Sequence, residues 1–150
     1  MTESNPQTIN DSIVTRVKVD HSRSSQEALA ATGREQYVDD VVVTEMPRGG
    51  GREVEVCFFE LDHWVNDIEL EKEYVRRGLA PVDPFSLAAV NEAYPLFADG
   101  HPNATHWQDA NGRWCYAKFG RPLSGARHVL VYLQREGCVY SSGWFAGRRK

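Results

Sequence analysis

The stretch Glu53-Val54-Glu55-Val56-Cys57-Phe58-Phe59-Glu60-Leu61 begins with apolar residues on one face (Val54, Val56, Phe58) and ends with them on the other (Cys57, Phe59, Leu61). A strand apolar on both faces belongs inside a sheet. Two segments after it, 66–78 and 83–94, read as helices that fold back on that sheet. Beyond Gly100 the hydrophobic period changes to two, which marks further strands beside it.

Around this centre the chain resolves into elements with local chemical reasons. Ile13, Val17 and Val19 alternate with Val14, Arg16 and Lys18, the pattern of a strand with one inward face. Ser24-Ser25-Gln26-Glu27 has capping-box spacing, so a short helix runs through Ala28, Leu29 and Ala31 and closes at Gly33. The β-branched run 41–45 predicts a strand, and the 48–52 turn joins it to the central one as a hairpin. That turn lacks the Lys-Ser/Thr of a P-loop and leads into a strand, so it carries no phosphate site.

Asn66 caps the second helix, whose stripe is Ile68, Leu70, Tyr74 and Val75, with Gly78 and Leu79 as a Schellman close. Asp83-Pro84 opens the third, and Pro95 stops it. Segments 103–108 and 113–119 flank an Asn111-Gly112 turn. Segments 127–133 and 137–141 form a second hairpin, and 143–147 closes the sheet.

The prediction is an α+β fold: a mostly antiparallel sheet with three helices, in the order β-α-β-β-α-α followed by β-hairpins. A ferredoxin-like N-terminal half, completed by 103–108, is the alternative. Residues 1–11, polar and with little to bury, are expected to be a disordered tail, and residues 12–150 a single domain. No basic leader or long apolar window is present, and Cys57, Cys115 and Cys138 form no disulfide framework, so a cytoplasmic protein with no membrane contact is expected.

The net charge of −4 is divided unevenly. Through Gly100 there are 19 acidic and 9 basic residues; from His101 onward there are 2 acidic and 8 basic, with 8 of the 16 aromatics. Either the two parts attract one another within the fold, or the last third offers a basic, aromatic surface.

Register in the Asn-Gly hairpin bears on that surface. With an even-numbered loop, Thr105 and Trp107 share a face with Trp114, Tyr116 and Lys118, while Ala104, His106, Cys115, Ala117 and Phe119 face inward. Aromatics beside a cation are a stacking surface, with Arg113 and Arg121 at its rim. If a helix covers that face, the aromatics are core instead.

No catalytic set emerges. The five histidines lack metal-ligand spacing, Ser141-Ser142-Gly143 lacks the nucleophile-elbow pattern, and Glu69, Glu71 and Glu73 at spacing two point to different sides of a helix, as on a solvated face. The expected function is therefore a non-enzymatic binding or protein-interaction module that needs no cofactor or metal. Its expected partner is a protein, ahead of nucleic acid. A small hydrolase or transferase using His63 or His106, and a nucleic-acid-binding accessory protein, are the competing readings.

The segment Arg77-Gly78-Leu79-Ala80-Pro81, then Trp107, Gly112-Arg113-Trp114 and Trp144-Phe145-Ala146-Gly147-Arg148-Arg149, resembles small uncharacterised bacterial and phage proteins. The order of elements also faintly resembles the C-type-lectin-like fold, over roughly the C-terminal two thirds and without its calcium-ligand tripeptide or cysteine pairs. The resemblance implies a binding scaffold in which a terminal strand returns beside an early one.

Overall fold

The computed structural model describes residues 4–9 and 11–150. In chain order the elements are β1 (Ser4–Ile9), β2 (Ser12–Lys18), α1 (Ser25–Ala30), β3 (Glu35–Val38), α2 (Asp40–Thr44), β4 (Glu53–Leu61) and α3 (Asp67–Arg76). These are followed by β5 (Leu79–Pro81), α4 (Pro84–Ala93), α5 (Phe97–Gly100), β6 (Asn103–Gln108), β7 (Trp114–Gly120), β8 (His128–Leu133) and β9 (Gly143–Arg149). The strands form one sheet in the order β1-β2-β4-β9-β6-β7-β8-β3, with β5 pairing β9.

This corrects the expected fold class. Among the described residues the sheet has nine strands and is mixed, because β6 pairs β9 and β3 pairs β8 in parallel, and five helices pack with it instead of three. The corrections have local causes. The 41–45 run is helical because Asp39 caps it, its carboxylate accepting from the amides of Val41 and Val42, and because a helix there buries Val42 and Val43. Capping and burial together override the strand propensity of three valines.

β8 takes β7 and β3 as neighbours, so 137–141 does not pair with it as a hairpin; among the described residues the backbone of that segment joins the fold through a bridge between Tyr140 and Val65. Of the expected tail, residues 1–3 and 10 lie outside the described residues, and Ser4–Ile9 pairs with β2. Among the described residues no helix is long and apolar enough to cross a membrane.

The central strand pairs β2 on one side and β9 on the other, and its two apolar faces feed two cores. On one face Val56 and Phe58 join Ile13, Val17, Cys115, Ala117, Phe119 and Ala146 beneath α1, α2, α4 and α5. On the other, Cys57, Phe59 and Leu61 meet Leu70 and Tyr74 of α3, together with Leu79, Ala104, Tyr140 and Phe145. Ile68 and Val75, expected in the buried stripe of α3, are exposed; the face turned to the sheet is Asp67, Leu70 and Tyr74.

Two buried polar contacts fix how the helices meet the strands. Asn91 of α4 donates from Nδ2 to Oδ1 of Asn103 at 2.9 Å, locking α4 to the start of β6. Tyr74 donates its hydroxyl proton to the carbonyl of Ala146 at 2.7 Å, locking α3 to β9. Gly147 makes that second approach possible, since a Cβ there would lie 3.0 Å from both the Ala80 carbonyl oxygen and Tyr74 Cε1. Gly147→Ala should therefore destabilise the protein by about 1–3 kcal/mol, the usual cost of overpacking. Urea unfolding checks this as a lower midpoint at unchanged slope.

Candidate functional site

The 109–113 loop that joins β6 to β7 has five residues, because Gln108 pairs Trp114 across it. Asp109 holds the loop, accepting from the amides of Asn111 and Arg113, and Gly112 takes the left-handed φ of 76° that the turn requires. An odd loop reverses the parity on which the face assignment rested. Thr105 and Trp107 therefore share a face with Cys115, Ala117 and Phe119, while Ala104 and His106 share the other with Trp114, Tyr116 and Lys118.

The expected stacking face is thus divided by the sheet. Thr105 is buried and donates its hydroxyl proton to the Val82 carbonyl at 2.6 Å. Trp107 packs half-buried against the larger core. Arg113 is exposed and paired with Asp109 at 2.9 Å, and Arg121 lies 3.6 Å from Asp99. Trp114, Tyr116 and Lys118 stay together on the α3 side. All five residues expected inward, Ala104, His106, Cys115, Ala117 and Phe119, are buried, but from two different faces.

At the edge of the α3 side is a buried polar centre. His106 has a fully buried side chain; its Nδ1 lies 2.7 Å from Asp67 Oδ1 and its Nε2 2.7 Å from Glu71 Oε2. Tyr140 donates its hydroxyl proton to the same Asp67 oxygen at 2.7 Å. The imidazole stacks on Trp114 at a centroid distance of 4.2 Å and lies near-parallel to Tyr74 at 5.8 Å.

Burial pulls the His106 pKa down, but the hydrogen bonds and charges of Asp67 and Glu71 outweigh it and leave it above its ordinary value. Burial, then the neighbouring Asp67 charge, drive the Tyr140 phenol upward, so it remains a donor. Both nitrogens of His106 are occupied, so the ring has no lone pair free to act as a base. His63 is exposed and bonded to Asp62 at 3.1 Å, and burial raises the thiol pKa values of Cys57 and, to about 11, Cys115. Neither is a poised thiolate.

The carboxylates at 69, 71 and 73 have separate partners. Glu69 closes the capping box on Asn66, Glu71 holds His106, and Glu73 pairs with Arg76 and Arg77. Sequence reasoning missed Asp67 and Tyr140. The signal for the first was present: Asp67 and Glu71 are four apart, hence on one helix face and able to bracket one ring. Tyr140 comes close only through the tertiary fold.

Beside this centre runs a groove of about 290 Å³ across β6, β7 and β9. Tyr116, Lys118 and Leu130 line it from the sheet, and Trp64, Tyr140 and Ser141–Ser142 from the flanking segments. Trp64 is 70% exposed. Among the described residues Lys118 forms no salt bridge, whereas Arg113, Arg121, Arg127 and Arg149 of the same basic third are engaged by Asp109, Asp99 and Glu55.

A second cleft, about 660 Å³, opens where β6 parts from β9 after Ala104. Trp107 and Trp114 both line it, together with Glu71, Asp83, Arg148 and Arg149. No group of three or more His, Cys, Asp or Glu side chains among the described residues is placed to hold a metal ion. Comparison with protein-family models, curated proteins and solved structures finds no match, so none of the three bears on the lectin-like resemblance.

If charge, and not stacking alone, holds the His106 centre, His106→Phe keeps an aromatic ring there but leaves Asp67 buried without its cation. Breaking a buried pair in this way costs about 3–5 kcal/mol. Chemical denaturation should show that loss, and adding Asp67→Leu should recover part of it. An unchanged midpoint in His106→Phe would mean the carboxylate contacts contribute nothing.

Proposed function

We propose that this protein is a non-enzymatic binding module that takes a segment of a partner protein in the groove over Tyr116 and Lys118. The observation that carries the reading is Lys118, half-buried in an aromatic and aliphatic trough with no carboxylate of its own among the described residues. A cation left unpaired beside apolar walls favours a ligand with an anionic group next to an apolar or aromatic body. Tyr116 and Trp64 offer ring surface for that body, and the Ser141 and Ser142 hydroxyls lie at the wall.

The competing readings have weaker support. An acid-base enzyme centred on His106 requires a free ring nitrogen, and both are committed to carboxylates. Nucleic-acid binding calls for a run of unpaired cations along one surface, and the arginines at 113, 121, 127 and 149 each have an acidic neighbour within the chain.

A random-peptide display selection on the purified chain should enrich sequences with an apolar residue next to Asp, Glu or a free C-terminal carboxylate. Lys118→Glu should weaken binding of a selected peptide at least tenfold, and Tyr116→Ala should weaken it comparably, with both variants unfolding as the parent does. Retained affinity in Lys118→Glu removes the groove from consideration.

A further inference from the structure

The His106 centre and the groove share one residue. Tyr140 lines the groove, and its hydroxyl reaches back to the Asp67 oxygen that also receives His106. The segment carrying Tyr140 is held by two reciprocal backbone bonds to Val65 of 2.8 and 3.1 Å and by the Tyr140 ring, which is buried against Tyr116 and Phe145. Three acceptor contacts, two to Asp67 and one to Glu71, require three protons. The phenol supplies one, and a neutral imidazole supplies only one more. With both carboxylates ionised, the ring must carry two protons and a positive charge.

From this count we infer that His106 is a proton-dependent latch on the groove. As an imidazolium it holds Asp67, the acceptor of the Tyr140 hydroxyl, and so couples α3 and β6 to the 137–142 wall; loss of its proton removes one hydrogen bond from this centre and loosens that coupling. The inference rests on the groove being the binding site and adds its regulation by pH.

The groups that face the ring fit this role. From α3 come Asp67, Glu71 and Tyr74, from β7 Trp114 and the cross-strand neighbour Tyr116, and from the wall Tyr140. Arg148 and Arg149 line the cleft that Glu71 shares, and Arg149 is bonded to Glu55 at 3.2 Å. Among the described residues no salt bridge joins Asp67 or Glu71 to a lysine or arginine, so His106 is their cation.

Losing the proton leaves a neutral ring facing two buried or half-buried carboxylates, one of which then loses its hydrogen bond. The folded pKa is raised above the unfolded value of about 6.5. The latch is therefore fully engaged below about pH 6.5 and is lost as pH rises through the folded value.

Nitrogen-15 NMR of the His106 ring in the intact wild-type protein tests this directly, with backbone amides followed through the same titration. The expected result is an imidazolium below about pH 6.5 that deprotonates at a midpoint above the unfolded value, with the 137–142 amides shifting at the same midpoint. Glu71→Gln, whose side chain is 39% exposed and whose loss spares the core, should move both midpoints to lower pH. A peptide selected on the groove should bind more weakly above the midpoint, by up to about tenfold per pH unit for a single linked proton.

A ring whose midpoint is not raised above the unfolded value of about 6.5 overturns the inference, as do 137–142 amides that ignore the ring's titration or an unmoved midpoint in Glu71→Gln. A peptide that fails to bind at every pH instead removes the groove as a site; the ring and wall titrations still decide whether the latch exists.

Discussion

The architecture depends on one pairing constraint: β9 must lie between β4 and β6. On one side is an antiparallel unit, β1-β2-β4, and on the other β6-β7-β8-β3; among the described residues only β9 hydrogen-bonds to both. Its five pairs to β4 make a long antiparallel junction, but its junction with β6 is parallel and covers only Asn103 and Ala104. Past that point β5 takes over as the partner of β9, and β6 leans away. The cleft between them is the geometric result of joining two half-sheets through so short a parallel contact.

The second consequence is chemical. His106, paired with Tyr116 of β7, turns its ring off the sheet face toward the first turn and a half of α3, and that polar ring needs partners there. Asp67 and Glu71 supply them, and Tyr140 adds a third contact from a segment that otherwise belongs to the groove. A polar centre fully satisfied in low dielectric specifies one arrangement of the elements around it. It also ties a titratable group to a ligand-sized trough.

What the sequence could reveal follows the range of the interaction involved. Helix termini were legible: Ser24, Asn66 and Asp83 cap their helices as their side chains dictate, since a cap is settled within four residues. The two-faced central strand was legible for the same reason. Sheet order was not, because nothing within β9 states that it pairs in parallel with a strand some forty residues earlier. The stripe on α3 misled because Ile68 and Val75 are apolar, whereas Asp67 is buried only for its contacts with a histidine and a tyrosine from distant segments. Of the candidate surface, Trp114, Tyr116 and Lys118 stayed together; Thr105 and Trp107 were separated from them by the parity of a single loop, since Asp109 and Gly112 close five residues and not four.

The position of β9 also carries a consequence for synthesis. Every other strand emerges from the ribosome before it does, so the nascent chain carries two half-sheets whose facing edges wait for a shared neighbour. Cys57 to Leu61 of β4 lack their outer neighbour until residues 143–149 are placed, so the sheet closes through a sequence-distant contact.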